Sequence, residues 1–329
     1  MGLDDARAVE NGPVDLAAAL ERAARVLADA GVASPRTDAE LLAAHLLGVS
    51  RPEVVRRALL GGTPAPVGLE RLVAERAQRV PVQHLTGRAP FRDLELAVGP
   101  GVFVPRPETE DVAGAAVVAA RAVAATRGTA VVVDLCTGSG AIALALATEV
   151  AGTTVVAVEV SDDARAWAAA NIESLAPGRV DLRAADVTDP SALEVLGDLV
   201  GRVDVVASNP PYIPPGQEPL DPEVRDHDPA IALYGGGPDG LTVPRAVIGL
   251  AGRLLRPGGW FVMEHADVQG VRALAAVASA GGWHDVEDHH DLAGRPRYVT
   301  ARRAGEAGET GGAGDAGEPV PAAKARGTA

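Results

Sequence analysis

The run Asn209-Pro210-Pro211-Tyr212 follows the apolar stretch VDVVAS at 203–208 and contains side chains that could do chemistry. Proline lacks a backbone N–H and fixes φ at about −65°, so two prolines end a strand and stiffen the chain behind it. An amide and an aromatic ring are therefore presented on a rigid loop. Taken alone, an Asn-Pro pair is typical of an ordinary turn, so the tetrapeptide indicates a site only if other residues converge on it.

A glycine-containing loop joins the strand-like run TAVVVDL at 129–135 to a helical pattern. Gly138 and Gly140 allow a tight turn and close approach of a ligand, and the helix behind them directs free N–H groups at the loop. The third position after Gly140 is Ala143, so the dinucleotide fingerprint G-x-G-x-x-G is absent, and no Walker Gly-Lys-Ser/Thr follows. The loop favours a nucleoside ligand without a pyrophosphate, with a plain strand-to-helix turn as the alternative.

Acidic residues follow the next two strand-like runs. Glu159 ends TTVVAVE, nineteen residues after the second loop glycine, where a carboxylate can hydrogen-bond a ribose diol. Asp186 ends VDLRAAD and could face an adenine amino group, although its surroundings are equally typical of a surface turn. Ligands of open α/β sheets bind outside the carboxyl ends of strands, so the glycine loop, Glu159 and Asn209 are expected to converge. Together they predict S-adenosylmethionine as the ligand.

These residues suit transfer of a sulfonium methyl group to the nitrogen of a planar amide or exocyclic amine. The methyl group is already electrophilic, so catalysis needs mainly alignment of the nucleophile. The Asn209 side-chain oxygen and the Pro210 carbonyl could accept the two N–H bonds of an NH2 group, which turns its lone pair toward the methyl group and stabilises the developing positive charge. Tyr212 supplies a face on which the planar group stacks.

Strand-like and helical patterns alternate over 107–303, which predicts a mostly parallel sheet covered by helices on both faces. Residues 14–80 have amphipathic helical periodicity and predict a small all-α domain, and 81–106 predicts a β-hairpin connector. Residues 1–13 are expected to be a loose start. Residues 304–329 are rich in Gly, Ala and Glu and cannot offset their ordering entropy by burial, so we expect a disordered tail whose removal leaves activity intact.

Composition and charge exclude several classes of protein. The single cysteine, Cys136, excludes an internal disulfide and a multi-cysteine metal site. The formal net charge of −14 argues against a nonspecific nucleic-acid binder, since phosphate contacts need clustered Lys and Arg. No basic-then-apolar leader and no apolar run of about 20 residues is present, so we expect a cytoplasmic protein. We also expect it to act as a monomer and to hold no metal. His289 and His290 are expected in a surface connection before the last strand.

Further motifs accompany the tetrapeptide. In chain order they are PVQHLTGRAPF, VFVPRPETE, DLCTGSGAIALALA, VVASNPPYIP, LYGGGPDGL, LLRPGGWFVMEH and DLAGRPRYVTAR. In these motifs, over about residues 14–303, the chain resembles the HemK/PrmC family, the peptide chain release factor glutamine N5-methyltransferases. The Asn/Asp-Pro-Pro-Tyr/Phe signature is also shared with DNA adenine-N6 methyltransferases, so the other motifs make the distinction.

The resemblance implies a class I S-adenosylmethionine-dependent methyltransferase fold, a Rossmann-like sheet with an antiparallel last strand, plus a small N-terminal all-α domain joined by a β-hairpin. It implies that the helical domain docks a release factor and that the glutamine of its Gly-Gly-Gln loop is methylated, with neither DNA nor a membrane as partner. The cofactor-binding residues would be Cys136, Thr137, Gly138, Ser139, Gly140, Glu159, Asp186, Val187, Asn209, Phe103 and Arg106. The residues that hold the glutamine would be Asn209, Pro210, Pro211 and Tyr212, with Asn209, Pro210 and Tyr212 catalytic.

Three residues depart from the family's pattern. Cys136 stands where the family often has glycine, and we expect it to pack near the cofactor rather than react. Val187 stands where some members carry an aromatic residue against the adenine, and Glu159 replaces the frequent aspartate. A nucleic-acid adenine-N6 methyltransferase and a non-catalytic binding module are the alternative functions. The first lacks an evident basic face or target-recognition domain, and the intact cofactor and substrate motifs speak against the second.

Overall fold

A computed structural model of the chain describes residues 14–291 and 293–305. The described residues form two compact units: the first contains the chain up to Gly87 together with Leu220–His227, and the second contains Arg88–Pro219 and the chain from Asp228 onward. The chain thus leaves the second unit after Pro219, adds eight residues to the first, and returns. The predicted loose start and nearly all of the predicted tail lie outside the described residues.

The first unit is built from short helices whose ends the sequence marks. The helices are α1 (Leu16–Asp29), α2 (Pro35–Leu47), α3 (Arg51–Leu60), α4 (Leu69–Ala77), α5 (Val82–Thr86) and α10 (Pro222–His227). The Asp15 carboxylate caps α1 by accepting from the Ala17 N–H at 2.9 Å. Proline begins α2, and Gly48 ends it with a left-handed φ of 64°. The apolar faces of α1, α2 and α4 share one core of leucine, alanine and valine side chains.

Ion pairs hold α10 within the first unit. Arg76 donates from Nε to Asp38 Oδ2 at 2.7 Å, and its Nη2 lies 2.6 Å from Glu223 Oε1. Arg79 donates from Nη2 to Glu223 Oε2 at 2.5 Å. Asp38, Arg76 and Glu223 are all buried, and buried charges persist only with such partners. The eight-residue insertion is therefore fixed largely by paired charges.

The second unit contains a two-stranded hairpin and a seven-stranded sheet. The hairpin strands are β1 (Arg88–Phe91) and β2 (Leu94–Ala97). The sheet strands are β3 (Ala130–Leu135), β4 (Thr153–Glu159), β5 (Val180–Ala184), β6 (Val203–Ser208), β7 (Leu255–Glu264), β8 (Trp283–His290) and β9 (Pro296–Arg303). Their order is β5-β4-β3-β6-β7-β9-β8, and β9 is antiparallel to both of its neighbours, β7 and β8, whereas the other neighbouring pairs are parallel. The expected class I methyltransferase sheet, with an antiparallel last strand, is confirmed.

Helices cover both faces of this sheet. They are α6 (Thr109–Arg127), α7 (Ala141–Glu149), α8 (Asp162–Leu175), α9 (Ala192–Val195), α11 (Ala230–Leu233), α12 (Thr242–Leu254) and α13 (Gly270–Ala280). Successive strand residues alternate between two apolar cores, with Val132 and Val205 in one and Val133 and Val206 in the other. Because the central strands are buried on both faces, they appear in the sequence as continuous apolar runs.

The region before the last strand differs from the expectation. The expected surface connection at His289 and His290 is wrong, because both residues lie in β8. This strand forms an edge of the sheet and none of its residues is fully buried, so its sequence, WHDVEDHH, lacks an apolar run. His289 Nε2 lies 2.7 Å from Thr300 Oγ1, and the imidazole stacks on the Tyr298 ring. A polar edge strand is difficult to distinguish from a loop by composition.

No helix among the described residues is long and apolar enough to cross a membrane. Within residues 14–291 and 293–305, no group of three or more His, Cys, Asp or Glu side chains is arranged to hold a metal ion.

Candidate active site

Three strand ends meet at the candidate site. β3 is the parallel neighbour of both β4 and β6, so their carboxyl ends share one edge of the sheet. The strand order reverses between β3 and β6, and a ligand crevice forms at such a point. Ser208 donates from Oγ to the Leu135 carbonyl at 2.7 Å, and the Thr137 N–H donates to the Val158 carbonyl at 2.9 Å. Hydrogen bonds thus join all three strand ends.

The loop 136–140 turns through left-handed backbone conformations. The φ angles are 60° at Cys136, 58° at Gly138 and 88° at Gly140. A side chain added at Gly138 would meet no atom within 4 Å, so the loop is open at this glycine. From β4, Glu159 accepts the Gly138 N–H on Oε2 at 2.8 Å. The structure therefore brings together the glycine loop and the acid that the sequence assigns to one ligand.

The Glu159 carboxylate is buried and held by backbone donors. Its Oε1 accepts from the N–H groups of Val160 and Ser161 at 3.0 Å each, while Oε2 accepts from Gly138. A carboxylate has about four acceptor directions, so one further donor can be accommodated. The predicted contact with ribose hydroxyls is compatible with these bonds and stays a prediction.

Asp186 and Val187 lie two and three residues beyond the end of β5. Asp186 is exposed, and its Oδ1 accepts from both the N–H and the hydroxyl of Thr188, at 2.8 and 2.7 Å. This is the turn geometry that the sequence offered as the alternative. Val187 packs against the same apolar core as Cys136. A contact of either residue with adenine stays a prediction.

Phe103 and Arg106 lie in the segment between β2 and α6. The Arg106 guanidinium lies over the Phe103 ring, 5.1 Å from its centroid, and donates from Nη2 to Asp228 Oδ2 at 2.6 Å. The pair therefore anchors the residue at which the chain re-enters the second unit. Their proposed position beside the cofactor stays a prediction.

The backbone of the loop 209–214 lies against the glycine-rich segment 235–240. The Ile213 N–H donates to the Leu233 carbonyl at 2.8 Å, and the Gly235 N–H donates to the Ile213 carbonyl at 3.1 Å. These two bonds fix the far end of the loop. Since proline stiffens its beginning, the loop is held from both sides.

Gly240 and Gln269 hold the carbonyl of Tyr212. A Cβ atom at Gly240 would lie only 2.2 Å from the Tyr212 carbonyl oxygen, so glycine is what allows the two backbones to touch. The Gln269 side chain, 1% exposed, donates from Nε2 to the carbonyls of Tyr212 and Asp239 at 2.8 and 2.9 Å. Gly240, the last glycine of the motif LYGGGPDGL, therefore allows the close contact that holds the tetrapeptide in position.

Hydrogen bonds connect the side chains of Asn209 and Tyr212 to a buried acid, Glu264, at the end of β7. Asn209 donates from Nδ2 to Thr109 Oγ1 at 3.1 Å, and Thr109 donates to Glu264 Oε2 at 2.8 Å. The Tyr212 hydroxyl donates to Glu264 Oε1 at 3.2 Å. Burial raises the pKa of Glu264 to about 7, although the hydrogen bonds from Thr109 and Tyr212 and the positive charge of Arg297 lower it. Burial likewise raises the pKa of the Tyr212 hydroxyl, which stays protonated.

Sequence reasoning missed several polar residues of the site. They are Thr109, Asp134, Asn171, Glu264 and Gln269. Glu264 ends a parallel strand as Glu159 does, so the same strand-end criterion selects it. Asn171 accepts the Ala97 N–H at 2.7 Å and donates to the Ser139 carbonyl at 2.9 Å, which joins the hairpin to the glycine loop. Nothing in the α8 sequence signals that role.

Cys136 occupies a backbone conformation that suits glycine. A positive φ is uncommon for residues that carry a side chain. Desolvation raises the pKa of the Cys136 thiol, and the neighbouring carboxylates of Glu159 and Asp134 raise it further. A thiol kept protonated is a weak nucleophile, which supports a packing role.

Replacing Cys136 by glycine is expected to leave turnover intact. Relief of the positive-φ strain offsets the lost packing and the larger entropy of the unfolded chain, so the free energy of unfolding should change by less than about 1 kcal/mol. Cys136→Val places a β-branched side chain in the same conformation and should lower it by about 1–3 kcal/mol. Chemical denaturation and turnover assays on both variants test this. A large loss of turnover in Cys136→Gly at unchanged stability would instead assign chemistry to the thiol.

The acceptor groups of the site fit S-adenosylmethionine. Asp134 is fully buried, its Oδ2 accepts from Thr137 Oγ1 at 2.6 Å, and its Oδ1 has no hydrogen-bond partner among the described residues. Burial raises the pKa of Asp134 to about 7. The ligand carries an ammonium group and ribose hydroxyls as donors and no phosphate. Carboxylate acceptors at Asp134 and Glu159, beside an open glycine, match those donors.

Family models match both parts of the chain. A model described as the PrmC N-terminal domain matches residues 18–87. A model described as a methyltransferase domain matches residues 127–294.

Named relatives match most of the chain. It is 52% identical over 290 residues to the release factor glutamine methyltransferase of Streptomyces coelicolor, which covers 88% of this chain and 98% of that protein. The protein of the same name from Mycolicibacterium smegmatis is 52% identical over 291 residues, with coverages of 88% and 98%. That from Mycobacterium tuberculosis is 47% identical over 294 residues, with coverages of 87% and 91%. A solved ribosomal protein L11 methylase from Lactobacillus delbrueckii aligns with 63% of this chain and 84% of its own at 17% identity and a TM-score of 0.43, so the fold assignment rests on the strand order instead.

Proposed function

This chain belongs to the family of release factor glutamine methyltransferases, and from that membership we propose that it methylates a glutamine side chain of a bacterial peptide chain release factor. The methyl donor is S-adenosylmethionine. We propose that the acceptor is N5 of the glutamine in the Gly-Gly-Gln loop. The observation that supports this best is the meeting of the glycine loop and the tetrapeptide at the reversal of strand order, where Ser208 hydrogen-bonds Leu135.

The tetrapeptide supplies what an amide nucleophile needs. An amide nitrogen is a poor nucleophile because its lone pair is delocalised into the carbonyl. In the proposed complex, Asn209 Oδ1 and the Pro210 carbonyl accept the two N–H bonds, and the Tyr212 ring supports the amide plane. These contacts aim the nitrogen lone pair at the electrophilic methyl group that the cofactor supplies. The N–CH3 bond forms as the S–CH3 bond breaks, and the nitrogen then loses one proton to solvent.

The buried position of the tetrapeptide supports this reading. Pro210 is buried, and Asn209, Pro211 and Tyr212 are half-buried, so a bound amide would exchange few contacts with water. Hydrogen bonds to a developing charge are stronger where water is excluded. Pro211, which follows Pro210 in the loop and is half-buried, would complete the contact with the substrate.

We propose that the helical unit docks the release factor. The match of residues 18–87 to the PrmC N-terminal domain supports a role specific to this family. Its core and its charge-paired α10 make it a compact unit, which suits a rigid docking platform. The net charge of −14 supports a protein rather than a nucleic-acid substrate. We further propose action as a monomer in the cytoplasm, where release factors work.

Incubation with S-adenosylmethionine labelled in its methyl group and a purified bacterial release factor tests the proposal. We expect label on the glutamine of the Gly-Gly-Gln loop, located by mass spectrometry of the digested factor. A release factor with Gly-Gly-Ala in place of Gly-Gly-Gln is the matched control and should stay unlabelled.

Other outcomes identify the alternatives. Label transferred to DNA, and lost at high salt, would favour the adenine-N6 methyltransferase. Cofactor binding without transfer to either class of macromolecule would favour a non-catalytic binding module. Label on the Gly-Gly-Ala control would show that another residue is modified.

A further inference from the structure

A buried hydrogen-bond network lies behind the tetrapeptide, and its members come from three separate elements. Thr109 begins α6, Glu264 ends β7, and Asn209 and Tyr212 lie on the loop after β6. We propose that Glu264 is a positioning residue that, through Thr109, fixes which end of the Asn209 side-chain amide faces the substrate. This inference rests on the proposed function, because it concerns the same amide contact.

The orientation follows from the single proton of the Thr109 hydroxyl. Thr109 Oγ1 lies 2.8 Å from Glu264 Oε2 and 3.1 Å from the Asn209 amide. An ionised carboxylate accepts hydrogen bonds and donates none, so the Thr109 proton points at Glu264. Towards Asn209, Thr109 can then act only as an acceptor. The Asn209 NH2 must therefore face Thr109, and Oδ1 is left for the N–H of the substrate amide.

The other carboxylate oxygen fixes the aromatic ring of the tetrapeptide. The Tyr212 hydroxyl donates to Glu264 Oε1 at 3.2 Å. The ring is thus held at its far end while Gln269 holds its backbone carbonyl. The ionised Glu264 carboxylate accepts hydrogen bonds from both Thr109 and Tyr212. An amide or a protonated acid carries a donor in place of one of these two acceptors, so it could not accept from both in the same way.

Substitution by glutamine removes this double acceptance. In Glu264→Gln the side chain has one oxygen and one NH2 group, so either Thr109 or Tyr212 faces a donor. If Thr109 faces it, the Thr109 proton is free to point at Asn209 and favours the reversed amide. The reversed amide would present NH2 to the N–H of the substrate, and two donors do not pair.

Steady-state kinetics on the chain with a release factor provide the first test. Glu264→Gln and Thr109→Val should each lower kcat by about 100-fold, the order seen when an oriented hydrogen-bond partner is lost from an active site. The dissociation constant for S-adenosylmethionine, measured by calorimetry, should change by less than about threefold. Thr109→Ser keeps the hydroxyl and should restore most of kcat.

The double variant Glu264→Gln/Thr109→Val should lose no more kcat than Glu264→Gln alone, because Thr109 acts on the Asn209 amide only together with Glu264, whereas Glu264 also holds Tyr212. The positioning role of Glu264 would be overturned if the kcat losses of the two single variants multiplied in the double variant. It would also be overturned if Thr109→Ser were as slow as Thr109→Val.

The pH profile separates positioning from a merely structural role. Thr109, Glu108, Tyr212 and Arg297 face Glu264 from the elements packed against it, and burial raises the pKa of Glu264 to about 7. Since the ionised form is the competent one, kcat should rise with pH through about 7 and then level off. Glu264→Gln should have a low kcat, and its pH profile should lack this rising limb. A limb that persists in this variant would overturn the assignment to Glu264 and would leave Asp134, whose pKa is also raised to about 7, as its source.

A measurement without substrate distinguishes failure of this inference from failure of the proposed function. In chain labelled with 15N-asparagine, the side-chain NH2 signal of Asn209 is assigned by its absence in Asn209→Ala. Its hydrogens should exchange more slowly in the wild-type chain and in Thr109→Ser than in Glu264→Gln. This result would support the positioning role even if no release factor were methylated. Equal exchange in all three proteins would overturn it whatever the substrate proves to be.

Discussion

Asn209→Ala is expected to lower kcat for release factor methylation by about 10³-fold, the upper end of what one oriented active-site hydrogen bond contributes. The contact is worth most when positive charge develops on the amide nitrogen, so its loss raises the barrier rather than weakening ground-state binding. Truncation also leaves Thr109 Oγ1 without the donor that now lies 3.1 Å away. The affinity for S-adenosylmethionine should fall by less than about tenfold, the effect of about 1.4 kcal/mol.

Turnover assays and calorimetry on the same preparations measure the two effects. Gln217→Ala, in the exposed part of the same loop, is the matched control and should keep wild-type kcat and affinity. Thermal unfolding shows whether either variant has lost its fold. If Asn209→Ala lost turnover and cofactor affinity in equal measure, Asn209 would be a cofactor-binding residue and the proposed amide contact would be wrong.

Local sequence features were sufficient to predict that the glycine loop and Glu159 lie close together at the candidate site. Glycine at 138 and 140 implies left-handed backbone, and both positions have positive φ. An acidic residue at the end of an apolar run predicts a strand end, and Glu159 ends β4 and accepts the Gly138 N–H of the glycine loop. Each of these features is encoded within a few residues, so a single sequence reveals it without knowledge of the fold.

The supporting contacts could not be predicted because they join distant segments. Thr109 and Glu264 are 155 residues apart, and Arg79 and Glu223 are 144 apart. Each residue alone is typical of a helix start, a strand end or an exposed helix face. Which acid meets which donor depends on the sheet order and the packing of α6 over it, and neither is determined by local periodicity.

Gly240→Ala is expected to lower turnover strongly through a change of the backbone alone. Its φ of 73° is strained for alanine, and the added Cβ would lie 2.2 Å from the Tyr212 carbonyl oxygen and 2.7 Å from the Pro214 nitrogen. The loop would have to move by about 1 Å, and a misplacement of that size costs about 100-fold in rate. The shift would also break the 2.8 Å bond from Gln269 to Tyr212. Turnover assays at saturating S-adenosylmethionine measure the loss of kcat.

Gly216→Ala separates the clash from the backbone strain. Gly216 has a φ of 86° but no atom within 4 Å of an added Cβ, and it is exposed in the same long connection. Both variants carry the strain of a left-handed alanine, about 1–2 kcal/mol, whereas only Gly240→Ala displaces the tetrapeptide. Near-wild-type kcat in Gly216→Ala with a large loss in Gly240→Ala is therefore expected. Equal losses of kcat would contradict the view that the glycine-rich segment acts by positioning Tyr212, because strain alone would then account for both.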